Sequence, residues 1–189
     1  MKGAVIREFV RWYEENQGKD RMREIAARAP ADLRDLLDPD KPLVTLLAAT
    51  WYPARFVHAL LDALAESHSE AELRRMAHDS TRALVAQGTH SAYRFLLAKL
   101  VTPDMYAASI PFMWKQLHST GDRRVRVVGE GRAESVVSRW PDHHPLLCTV
   151  TIETMCSIFE LIGCADVRWD RRSCVSDGGA ECATDLTWR

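Results

Sequence analysis

Cys148, Cys174 and Cys182 are the residues of this chain best suited to chemistry, and the last two flank the pair Gly178-Gly179. If the flanking residues are strands and the glycines their turn, the two thiols meet face to face, close enough to share a metal ion or simply to pack. Both readings stand on the residues alone, since free cysteine is among the most buried residue types. No nucleophile, acid/base pair or phosphate loop accompanies the cysteines, so a catalytic role has no spacing to support it. Cys156 and Cys164 read as a helix-packing and a strand-entry residue, and the tandem His143-His144 before Pro145 is too local to define a metal site without partners.

The 189 residues are 47% hydrophobic, enough to bury a substantial core in one domain. With 25 basic against 26 acidic side chains, no global field recruits nucleic acid or an anionic membrane. Five cysteines do not suit a disulfide framework, and no charged segment followed by an apolar stretch opens the chain. The expectation is a cytoplasmic protein with reduced thiols. No run approaches the roughly 20 apolar residues of a membrane span.

The elements that would position the cysteines fall in two parts, with residues 1–121 mainly helical and 122–189 strand-strand-helix-strand-strand. Val5, Ile6, Phe9, Val10, Trp12 and Tyr13 recur at helical spacing until Gly18. Arg21 to Ala29 and Ala31 to Leu37 read as short helices. Pro53 opens a helix with Phe56, Val57, Leu60, Leu61 and Leu64 on one face. Ser67 or Ser69 caps the next, which runs to Gly88 with Glu70 and Glu72 at its positive end. Helices over Ser91 to Leu100 and from Pro103 to His118 follow. From Arg123 the period changes to two, giving a hairpin around Gly129-Glu130-Gly131. A helix from Leu146 to Leu161 and two further strands, the last running through Trp188, complete an α+β order with a four-stranded antiparallel sheet.

The Met1-Lys2-Gly3 opening into an amphipathic helix, Trp51-Tyr52-Pro53 ahead of Phe56, and the closing helix-strand-glycine turn-strand unit resemble a known superfamily. It contains haem nitric-oxide/oxygen-binding domains, 4-vinyl reductase domains and Bet3-like subunits of vesicle transport particles. Within it the chain looks most like a large myxobacterial paralogous family of single-domain proteins. The resemblance implies a helical body packed on the sheet, with one long helix inserted between the two hairpin halves and a space for a small ligand between helices and sheet. It implies no haem: Pro111 falls about where the proximal histidine should be, and the segment 129–139 lacks the tyrosine of the propionate-holding motif. His118 is the nearest substitute. The 4-vinyl reductase relatives hold zinc with an upstream cysteine and a Glu-x-x-Cys-x7-Cys unit. Cys148, Cys174 and Cys182 match the cysteines, but the glutamate position falls on Arg171, so a zinc site would recruit Asp170, Glu181, His143 or a water.

Trp51, Tyr52, Phe56, Tyr93, Phe112 and Trp114 are candidates to line an apolar ligand pocket, or else to be core. The function expected from the resemblance is a non-enzymatic sensory or regulatory domain that binds a small apolar ligand and signals through protein contacts. Alternatives are a ligand-free interaction or scaffold module and, with less support, a zinc-dependent enzyme. Adjacent Trp12 and Tyr13 cannot both enter one narrow core stripe, which makes one of them the candidate anchor of a homodimer or partner interface.

Overall fold

The computed structural model describes residues 1–38, 40, 46–87 and 102–189, with the backbone alone at 86 and 87. The expected helix over Ser91 to Leu100, with Tyr93 in it, lies outside the described residues. The chain divides into two compact units, Met1–Met76 and Ala77–Arg189.

The first unit is helical. In α1 (Gly3–Gln17) the buried residues Gly3, Ile6, Val10 and Tyr13 form one stripe, and the helix stops at Gly18, whose φ of 91° suits a residue without a side chain. α2 (Lys19–Arg28) and α3 (Ala31–Leu37) follow, the latter entered from Pro30. α4 (Ala54–Ala65) starts directly after Pro53 and buries Val57, Leu60, Leu61, Ala63 and Leu64. The residues around Met1 and Trp51 are drawn together: the Met1 nitrogen donates to the Tyr52 carbonyl at 2.8 Å, and Lys2 and Trp51 form an isolated antiparallel bridge. A Cβ on Gly3 would run into the Leu47 carbonyl and the Tyr52 ring, so glycine is required by this close approach. α5 (Glu70–Gln87), which crosses into the second unit, opens with a reciprocal cap. The Ser69 amide donates to Glu72 Oε2 at 2.8 Å and the Glu72 amide returns to Ser69 Oγ at 3.3 Å.

The second unit carries the sheet. α6 (Pro103–Leu117) begins with proline at its first position and with Thr102 accepting from the Met105 amide, and it contains Pro111. It leads into β1 (Asp122–Gly129) and β2 (Arg132–Ser138), then α7 (Pro145–Leu161), β3 (Arg168–Ser173) and β4 (Glu181–Thr187). All neighbours are antiparallel in the order β1-β2-β4-β3. α7 lies between the two strand pairs in sequence, as its periodicity and Pro145 predict. It is buried over most of its circumference, from Leu147 to Phe159. Phe159 meets Tyr106 and Trp188 edge-on, at 5.4 and 5.0 Å between ring centroids.

A bulge in β3 matters for the cysteines. Arg171 pairs with Thr184, yet Ser173 pairs with Ala183, so Arg172 is an extra residue. Without it Ser173 would stand opposite Cys182; with it Cys174 takes that place.

Candidate metal centre

Four side chains converge where β3, β4 and the entrance to α7 meet. The donor atoms of His143, Cys148, Cys174 and Cys182 all lie within 4.8 Å of one another. Cys174 Sγ is 3.5 Å from Cys182 Sγ and 3.3 Å from His143 Nε2. Tetrahedral sulfurs around a zinc ion, at about 2.3 Å from the metal, stand roughly 3.8 Å apart, so these separations are near those of a closed Cys₃His site. The three cysteines are buried and His143 is half-buried.

Each donor is placed by local structure. Cys148 sits in the first turn of α7, its amide donating to the His144 carbonyl at 2.9 Å, where the helix dipole favours a thiolate. Cys174 is delivered by the bulge and opens a short 3₁₀ turn, Val175–Asp177, that closes at Gly178 with φ 83°. Its carbonyl accepts from the Asp177 and Gly179 amides, and a Cβ on Gly179 would meet that carbonyl. The turn supplies two donors to sulfur, Ser176 Oγ to Cys174 at 3.1 Å and the Val175 amide to Cys182 at 3.5 Å. Cys182, at the start of β4, pairs with Val137 of β2.

His143 is oriented by aromatic packing. The Trp140 ring meets it edge-on at 5.3 Å and is itself edge-on to Trp114 at 5.3 Å. Trp114 donates through Nε1 to the Thr120 and Gly121 carbonyls, both at 3.0 Å. Gly121 has φ 75°, the left-handed region that favours glycine, and a Cβ there would press on the Trp140 indole at 3.1 Å. Replacing Trp140 by leucine is therefore expected to weaken metal binding by about 10–100-fold through a mis-set His143, with the ligand set unchanged. A competition titration with a chromophoric chelator measures it.

The electrostatics of the cluster are those of a site that shares protons. Cys148 is pushed far above the ordinary thiol range, first because it donates its proton to Cys182 and then by burial; Arg171 opposes the rise. Cys182 is correspondingly lowered by the bond from Cys148, helped by the Val175 amide. A cation entering the cluster would displace the shared proton, so affinity falls as pH falls. Arg171, at the position where the resemblance implies a glutamate, cannot ligate; it donates to Thr149 Oγ1 at 2.8 Å and lies over Trp169. Of the fourth ligands weighed from sequence, His143 is in the cluster, whereas Asp170 and Glu181 are not part of it.

The other candidates are dispersed. Tyr13 has no exposed surface and its hydroxyl meets His68 Nε2 at 2.7 Å, which corrects its candidacy as an interface anchor: it occupies the α1 core stripe. Burial raises Tyr13 and lowers His68, consistent with a neutral pair. Trp12 is half-buried. In the first unit Tyr52 and Phe56 are ring neighbours at 6.0 Å, while Trp51 is 44% exposed beneath Lys2. In the second, Trp114 is buried but Phe112 is 60% exposed, because a core stripe through Ile110, Met113 and Trp114 turns position 112 outward. Phe112 is thereby corrected from pocket lining to surface.

The architecture is that of an H-NOX-like domain, a mixed α+β fold with a helical N-terminal part and a C-terminal four-stranded antiparallel sheet. No family model matches the chain, and no curated protein matches it by sequence. Among solved structures it is similar to the Fe(II) unliganded H-NOX protein from K. algicida, at TM-score 0.69 and 15% identity, over 100% of this chain and 97% of that one. It is similar also to an H-NOX protein from S. oneidensis in the Fe(II)NO ligation state, at TM-score 0.72 and 11% identity, over 100% and 99%. A third likeness is to an oxygen-binding H-NOX domain related to soluble guanylate cyclases, at TM-score 0.65 and 10% identity, over 100% and 95%.

Haem, which such a fold brings to mind, does not fit the described residues. Pro111 supplies no ligand atom within α6. His118 at the end of that helix is stacked flat on Trp114 at 3.6 Å with an interplanar angle of 1°, and Trp140 stands at its edge. Burial, with Arg123 nearby, pushes the His118 imidazole down to about 3. Arg139, in the segment where a propionate-holding arginine would be sought, is 81% exposed and bound to Asp122 at 2.6 Å. His68, His78 and His143 are engaged with Tyr13, Glu160 and Cys174.

Proposed function

We propose that this chain is a non-enzymatic sensory or regulatory domain, acting as one functional unit over residues 1–189, with a structural zinc centre held where β3, β4 and the entrance to α7 meet. The observation that carries the reading is the convergence of His143, Cys148, Cys174 and Cys182 within 4.8 Å. Three thiolates and an imidazole suit zinc, and four protein ligands leave no open position for an activated water, which argues for a structural and against a catalytic metal. The solved neighbours are described by their Fe(II), nitric-oxide and oxygen states, which supports ligand sensing as the use of the fold. In this chain the ligand is a small, mostly apolar molecule taken between helices and sheet, and the signal passes through a protein partner or a second copy, with Trp12 as an anchor. The kinship with 4-vinyl reductase domains and the myxobacterial family belongs to the same reading, as does a cytoplasmic location with reduced thiols. Among the described residues no helix is long and apolar enough to cross a membrane.

A pure interaction module is the second reading, favoured by Met105 and Phe112, exposed seven residues apart on one side of α6. Elemental analysis and absorbance of freshly purified protein test the first. One zinc per chain and no Soret band are expected; a Soret band, or a metal-free chain of full stability, overturns it.

A further inference from the structure

Arg123 is the one buried arginine in the described core, only 6% exposed, on the inner side of β1. Its hydrogen bonds are long and go to neutral acceptors: Nε to Ser135 Oγ at 3.4 Å, Nη2 to the Thr151 carbonyl at 3.5 Å and Nη2 to Met155 Sδ at 3.3 Å. Its guanidinium lies 5.8 Å from the Trp114 ring. Every aspartate and glutamate of the chain is among the described residues, yet none forms an ion pair with Arg123. The carboxylates nearest in sequence are committed elsewhere, Asp122 to Lys115 and Arg139, and Glu134 to Arg126. A guanidinium taken out of water with only weak neutral contacts is costly, and an anion is what offsets that cost.

The surroundings define what the anion would be. Tyr106, 1% exposed, is close enough that Arg123 opposes the rise that burial imposes on its phenol. Trp114, with His118 stacked on its ring, and Met155, whose Sδ accepts from Nη2, are the apolar neighbours of the guanidinium. We propose that Arg123, with the Tyr106 hydroxyl beside it, anchors the carboxylate of a small ligand whose apolar body lies against Trp114 and Met155. The planar fork of arginine matches a carboxylate in two parallel bonds, and a buried phenol donates a further one. This rests on the reading of the chain as a ligand-taking domain and sharpens the ligand's class from apolar to apolar with one acidic head; it does not depend on the metal.

The test is thermal denaturation of the full chain as purified, with benzoate, neutral benzamide and inorganic phosphate as probes, for the wild type, Arg123→Met and Arg123→Lys. Benzoate at about 100 times its Kd is expected to raise the wild-type Tm by roughly 5 °C or more, with benzamide inactive. Arg123→Met should show no benzoate response and melt no lower than unliganded wild type, since an unpaired buried charge has gone. Arg123→Lys, which keeps the charge but not the fork, should bind benzoate at least about 10-fold more weakly; if Arg123→Met does not fold, this variant decides. Equal benzoate shifts in wild type and variants, a response to phosphate alone, or no wild-type response to any probe would each overturn the proposal. Zinc content is measured in the same samples, so failure of the metal reading and failure of the carboxylate site are seen separately.

Discussion

Replacing Cys182 by serine is expected to abolish stable zinc binding, lowering affinity by more than the roughly 10–100-fold typical of an outer-sphere partner. Cys182 lies beside Cys174, accepts from the Val175 amide and takes the proton that Cys148 offers, so its loss unlinks all three elements of the centre. A loss of about 100-fold or more corresponds to at least ~2.7 kcal/mol, or a Tm lower by roughly 5–10 °C in a chain of this size. A chelator should lower the wild-type Tm by a similar amount and leave Cys182→Ser unmoved. The sign of the pH dependence is fixed by the ligands: thiols must lose protons to bind, so wild-type zinc is retained at neutral pH and released as pH falls, with proton uptake. Equal melting of wild type, variant and chelated protein would remove the structural role.

Phe159→Ala is expected to cost about 3–5 kcal/mol, the range for deleting a fully buried aromatic ring. Phe159 has no exposed surface and joins α6 to the C-terminal residues through its edge contacts with Tyr106 and Trp188. Its loss opens a cavity that two further aromatics cannot fill without leaving their own positions. Chemical denaturation read by tryptophan emission gives the change, and Phe159→Leu should recover more than half of it. A cost below about 1 kcal/mol for the alanine variant would mean that α7 is not packed against α6 as described.

What was legible in the sequence is what periodicity and punctuation encode locally. α3 is bounded by Pro30 and the Asp38 turn, α4 starts after Pro53, and α7 fills the space between two alternating pairs of strands, each as read from residue types. The cysteines were legible as a cluster because a glycine turn between strands fixes which positions oppose. The bulge at Arg172 was not, since no residue type marks an extra strand residue, and it is the bulge that puts Cys174 rather than Ser173 opposite Cys182. His143 stood among several possible fourth ligands; the separating signal is its place five residues before Cys148 at the mouth of a helix, with Trp140 behind it. Trp12 and Tyr13 were equivalent in sequence, and only the phase of α1, with Ile6 and Val10 inward, assigns Tyr13 to the core. Arg123 looked like one of three strand arginines. Alternation with Arg124 and Arg126 already placed it on the opposite face, but nothing in the pattern told that its acceptors would all be neutral.

X-ray absorption at the zinc edge of the purified, metal-bearing chain decides whether His143, Cys148, Cys174 and Cys182 hold zinc, because it reads both the element and its ligands. One zinc per chain is expected, with three sulfurs at about 2.3 Å and one imidazole nitrogen at about 2.0–2.1 Å, changing to two sulfurs in any residual metal bound by Cys182→Ser. A first shell of oxygen and nitrogen alone, or protein that folds and persists with no metal at these four residues, would contradict it.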